Sequence, residues 1–109
     1  MKLEAAIPDA GITSKALYED EHVKAILFGF ARGGKLAEHK APLPVILHFV
    51  RGSAKITLED DTDLAEAGTW IHMQPNLPHS IVAETEAVML LMLLKSTKSS
   101  FAKPAVGAV

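Results

Sequence analysis

The apolar positions of this chain fall in short runs broken by Gly, Pro and acidic turns, and almost none of it sustains a helical period. Residues 22–30 are mostly β-branched, aliphatic or aromatic, and Ala31-Arg32-Gly33-Gly34-Lys35 follows as a Gly-rich turn, so a strand is expected there. A short extended piece over 36–39 leads into Ala41-Pro42-Leu43-Pro44, where two prolines forbid helix and keep the residues before them extended. Residues 45–50 are apolar on both faces except at His48, and they end at Arg51-Gly52-Ser53, a hairpin-like signal. Residues 54–59 alternate, with Ile56 and Leu58 on one face and Lys55, Thr57 and Glu59 on the other, which is the pattern of a half-exposed strand.

Further on, Asp60-Asp61-Thr62-Asp63 reads as a turn, and Gly68 introduces a strand over 69–73. Pro75-Asn76-Leu77-Pro78 predicts a rigid loop before His79, and 80–83 continues as a strand. Glu84-Thr85-Glu86 turns the chain, and 87–94 returns as the most apolar strand of all. Helical potential is confined to the short stretch 14–21. Strands separated by turn signals at roughly 8 to 12 residues predict an all-β sandwich or barrel. A single domain spanning 1–109 is expected, with a barrel core over about 22–95, an N-terminal arm over 1–21 and a loose C-terminal tail over 96–109.

Composition narrows what such a barrel does. Of its 109 residues, 49% are hydrophobic and 22% charged, so the chain can fill a core and has no need to be disordered. A net charge of −2, with Lys and Arg scattered, gives no basic stripe for nucleic acid. With no cysteine there is no disulfide, thiolate metal site or thiol nucleophile. Glu4, Pro8 and Asp9 interrupt the start before an apolar segment develops, which argues against a signal peptide, and 87–94 is too short for a membrane-spanning helix. A cytoplasmic location without membrane contact is the expectation.

Two segments carry a resemblance. From Gly34 through His39 to Gly52, and from Gly68 through Thr69-Trp70-Ile71-His72-Met73 and Pro75-Asn76-Leu77-Pro78 to His79, the chain resembles the two signature motifs of small single-domain cupins, of the conserved-barrel cupin 2 type. The resemblance covers about the central half of the chain and implies a jelly-roll β-barrel with its site near His39 and His79. The first motif is degenerate. Ala41 stands where the family has a second His, Val45 where it has a Glu, and Leu77 replaces a frequent Gly of the second motif. The divalent metal that the resemblance implies, of the Zn, Ni, Fe or Mn kind, is therefore left with His39 and His79, whereas stable sites use three or four protein ligands. The same two imidazoles can instead bond each other, a water or the backbone.

His48 and His72 are additional candidate ligands, in strands that the family topology places side by side as a cross-strand pair. If Val45 points inward, alternation turns Leu47 and Phe49 inward too and sends His48 to the opposite face. Val45, Leu47, Phe49, Trp70 and Met73 are the candidate lining of a ligand pocket, and equally the filling of a small core.

Three readings of function stay open. The first is a barrel that binds a small organic ligand, a divalent metal held weakly, or both, near His39 and His79. The second is a metal-dependent cupin enzyme of the dioxygenase or isomerase type, with a third ligand from His48, His72 or Gln74. The third is a homodimer joined through the outer sheet face carrying Ile46, His48 and Val50, since both faces of that strand are apolar.

Overall fold

The computed structural model describes residues 5–95. Nine strands follow one another: β1 (Ile12–Glu19), β2 (Val23–Phe30), β3 (Lys35–His39), β4 (Val45–Arg51), β5 (Ser53–Leu58), β6 (Asp61–Glu66), β7 (Trp70–Met73), β8 (His79–Ala83) and β9 (Ala87–Leu94). They form a five-stranded sheet, in the order β1-β2-β9-β4-β7, and a four-stranded sheet, β3-β8-β5-β6, with antiparallel pairing throughout. The expected all-β jelly roll is what the chain adopts. Among the described residues no helix is long and apolar enough to cross a membrane.

Both sheets contribute to one core. Phe30, Val45, Leu47, Phe49, Met73 and Met89 come from the larger sheet, and Ala54, Ile56, Ile81 and Ala83 from the smaller. The alternation of β4 decides its faces: Val45, Leu47 and Phe49 are buried, and Ile46, His48 and Val50 are half-buried on the other side.

Four expectations about local structure are corrected. Residues 14–21 form no helix, and residues 12–19 of the expected N-terminal arm are the edge strand β1, paired with β2 from Ile12↔Phe30 to Glu19↔Lys24. The weak helical period yields to the backbone bonds that β2 offers. A bulge between Ala16 and Tyr18 adds a residue and resets which side chains face out. Asp61, Thr62 and Asp63 also belong to a strand rather than a turn: β6 is an edge strand paired only with β5, so its polar side chains face water at no cost, and the turn shrinks to Glu59 and Asp60. Gly52 closes no hairpin, because β4 and β5 lie in different sheets. It is the corner where the chain changes sheets, at a φ of 83° where a Cβ would collide with the Glu86 carbonyl oxygen. The fourth concerns Trp70. It was expected to face the interior but is 57% exposed, since it pairs with the outward His48.

The outer face of the five-stranded sheet can be read off the register. One row across the strands runs Lys15, Leu27, Leu90, His48, Trp70, and the next runs Tyr18, Ala25, Met92, Ile46, His72. His48 and His72 are thus diagonal neighbours, each opposite a different residue, and not the directly facing pair expected from the sequence. At one end of this face the N-terminal segment crosses β2. Thr13 Oγ1 donates to the Ala6 carbonyl oxygen at 2.9 Å, and any side chain at Gly29 would run into that same oxygen. The expected tail over 96–109 lies outside the described residues.

Candidate functional site

The site forms where three segments meet in the four-stranded sheet. Pro78 ends the rigid loop after β7, and the chain enters β8 with His79, Ile81 and Ala83 facing inward by alternation. His79 is 3% exposed and is the one buried polar side chain among the described residues. Its neighbours in the sheet are His39 of β3 on one side and Leu58 of β5 on the other.

The pairing of His39 with His79 depends on a bulge. Leu36 lies opposite Ile81, so an unbroken ladder would bring Glu38 opposite His79. An extra residue between Leu36 and His39 shifts the register by one and places the backbone of His39 there instead. Nothing in the spacing of the sequence announces this slip.

The loop of Pro75-Asn76-Leu77-Pro78 is tied to the connection after β3. Asn76 adopts a φ of 65°, which Asn tolerates better than most residues, and its amide donates to the Ala41 carbonyl oxygen at 2.7 Å. Because Asn76 takes the left-handed position, the next residue does not need to be glycine, and Leu77 packs against the core together with Ala41. Leu77 also supplies a carbonyl oxygen 3.0 Å from His79 Nδ1. A carbonyl can only accept, so Nδ1 carries a proton in this bond, and in the neutral ring the lone pair is then on Nε2. A backbone bond of this kind sets both the tautomer and the ring orientation.

The donor set does not fit a resident metal of the family's usual kind. Among the described residues no group of three or more His, Asp or Glu side chains could hold an ion. Ala41 and Val45 offer no ligand atoms in their side chains; Val45 is buried in the apolar core and Ala41 packs against it. His48 and His72, the additional candidates, are on the outer face of the other sheet and do not join His79. Gln74 is exposed beyond the end of β7. Of the candidate lining, Val45, Leu47, Phe49 and Met73 are buried in the core, and Trp70 lies outside it.

A separate group with displaced pKa values lies in the turn from β1 to β2. The Tyr18 hydroxyl donates to Asp20 at 2.7 Å, and the His22 and Val23 amides donate to its other oxygen. These bonds, the Tyr18 hydroxyl first, lower the Asp20 carboxyl to about 2. Lys95, 2.6 Å from Glu19, lowers that carboxyl in turn by its hydrogen bond and charge. This is an exposed structural clasp joining the end of β9 to the turn.

No family model and no curated protein matches the chain. Solved structures do. A cupin 2 conserved barrel domain protein from Leptotrichia buccalis is 28% identical with a TM-score of 0.77, over 84% of this chain and 44% of that one. A cupin superfamily protein from Desulfitobacterium hafniense is 24% identical with a TM-score of 0.76, over 85% of this chain and 84% of that one. A conserved protein of unknown function from Streptococcus pyogenes is 24% identical with a TM-score of 0.77, over 85% of this chain and 82% of that one. Likeness at this level speaks for the fold and leaves activity open. With two antiparallel sheets, the inward His79 and these neighbours together, the chain is a cupin-fold protein akin to the small cupin and RmlC-like barrels.

Proposed function

We propose that this protein is a binding module: a small cupin barrel that takes a small organic ligand beside His79 and His39 and holds divalent ions only weakly. The observation that carries the reading is the burial of one imidazole, His79, at the start of a strand whose other inward residues, Ile81 and Ala83, belong to the apolar core. Small-molecule sites combine that sort of apolar surround with a few oriented polar groups. Ala41 and Val45 favour it over metal-dependent catalysis, because they supply apolar wall at the places where the family has ligands. Two imidazoles bind a divalent ion with modest affinity, and the absence of a carboxylate leaves the cation's charge uncompensated.

The test is a thermal-shift screen of the full chain against small carboxylic acids, phenols and sugars, with zinc, nickel, manganese and ferrous salts as separate arms. At least one organic compound is expected to raise the melting temperature, and His79→Gln is expected to abolish that rise while leaving the circular dichroism spectrum intact. A screen in which no organic compound shifts the transition would overturn the reading. So would a metal arm that saturates at stoichiometric ion, since that requires a complete ligand set.

A further inference from the structure

We infer that His48 and His72 form a surface site for a divalent transition-metal ion of the kind that prefers imidazole, copper(II) foremost, on the outer face of the five-stranded sheet and apart from His39 and His79. The strand register carries it. His48 is opposite Trp70 and His72 opposite Ile46, so the two imidazoles stand on adjacent antiparallel strands as diagonal neighbours. Alternation turns both outward: Leu47 and Met73 beside them are buried, whereas His48 is half-buried and His72 exposed. Diagonal positions of such a pair are about 7–8 Å apart and somewhat closer at Cβ. Two nitrogens bound to one ion at about 2.0–2.1 Å stand roughly 3–4 Å from each other. Because an imidazole carries its far nitrogen well beyond Cβ, rings at this separation can lean together onto a single ion.

Neither ring is otherwise engaged. Among the described residues no hydrogen bond or ion pair occupies the imidazole of His48 or of His72, so ligation there breaks nothing. The setting matters as well. Two protein nitrogens leave the remaining coordination positions to water, which reaches the exposed His72 and is kept from the buried His79. The neighbours then select the kind of ion. The two rows of the outer face that hold the pair contain no Asp or Glu, so oxygen-seeking calcium and magnesium find no carboxylate. With nitrogen ligands alone, affinity along the divalent series peaks at copper(II), with nickel and zinc below it.

Trp70 is the single tryptophan of the chain and sits directly opposite His48, so a paramagnetic copper(II) ion held there quenches its emission. The experiment is a titration of the full chain with copper(II) chloride, followed by Trp70 emission and ended by adding EDTA. Quenching is expected to saturate only in excess of ion over protein, as suits two protein ligands, and to be reversed by the chelator. His48→Ala and His72→Ala should each raise the copper concentration at half-quenching about tenfold or more, since one ring alone loses the effective concentration its neighbour supplies. Both positions lie outside the core, so the domain folds without either ring, and circular dichroism checks this. His22→Ala and His79→Gln should leave the titration where it is. No quenching overturns the inference, and so does a midpoint indifferent to either His48→Ala or His72→Ala, which marks an adventitious ion only. A midpoint moved by His79→Gln assigns the ion to the barrel interior and overturns it too. Since His79→Gln is expected to abolish the organic-ligand response and spare the copper response, this inference and the binding-module reading fail separately.

Discussion

The two sheets share an interior and differ outside. In the four-stranded sheet, β5 buries Ala54 and Ile56 and turns Lys55 to water, while the edge strand β6 is exposed nearly throughout. In the five-stranded sheet, β9 is apolar from Ala87 to Leu94 and β4 interrupts its apolar run before Arg51 only at His48. Inward, both patterns do the same work, and a core of Phe, Leu, Ile and Met results. Outward, the four-stranded sheet mixes Lys55, Thr57 and Ser80 with the exposed Val82 and Leu64, while the two central strands of the five-stranded sheet are apolar but for His48. An inward position is selected by packing alone, so both sheets converge on it; an outward position records what the face meets.

The largest effect that tests this contrast is in the shared core. Phe49→Ala removes a fully buried ring and should cost about 3–5 kcal/mol in urea denaturation. Its neighbour His48→Ala, on the outer face, should cost the isolated domain under about 1 kcal/mol. Equal costs would mean that the faces of β4 are misassigned. Next comes the corner between the sheets. Gly52→Ala meets both a positive φ and the Glu86 carbonyl oxygen, and a loss of roughly 2 kcal/mol or more is expected from thermal unfolding. A neutral outcome there would show that the corner is not tightly held.

Smaller still is the difference between the outer faces themselves. Leu90→Thr, at a half-buried position of a central strand, should lower the melting temperature more than Val82→Thr, which is exposed and has about 0.5 kcal/mol or less at stake. The smallest effect belongs to the clasp on the edge of the larger sheet. Asp20 has its folded-state value depressed to about 2, so its contribution is present at neutral pH and is lost as the pH falls from the ordinary carboxylate range through that value. Asp20→Asn should flatten the acid limb of the stability profile between about pH 4 and pH 2 and do little at pH 7. An unchanged acid limb would show that the bonds from Tyr18, His22 and Val23 are not what sets it.

Much of the fold was legible in the sequence because strand pattern and turn chemistry are local. The prolines and glycines around 42–44, 52, 68 and 75–78 mark breaks that the structure keeps, and period-2 alternation assigned the faces of β4 and β5 correctly. The errors fall where a partner strand overrides a local preference. Residues 14–21 look weakly helical until β2 is beside them, and 61–63 look like a turn until β5 pairs with them. Trp70 looked like core because large aromatics usually are, and only the pairing of Trp70 with His48 reveals its outward side.

At the site the division is similar. Residue identity alone gave His39 and His79 as imidazoles and Ala41 and Val45 as side chains without ligand atoms, for these are statements about which atoms exist, and the cupin resemblance supplied the expectation that the four belong to one site. The sequence also determined that the chain is built of short strands, since alternation and turn residues act over a few positions. Tertiary structure decided the rest. It placed His39 opposite His79 by a bulge that only the Leu36↔Ile81 register exposes, and it separated His48 and His72 from that pair by turning them to the far side of the other sheet. Registers and faces are set by the strand on the far side of each hydrogen bond, and that strand can be dozens of residues away along the chain.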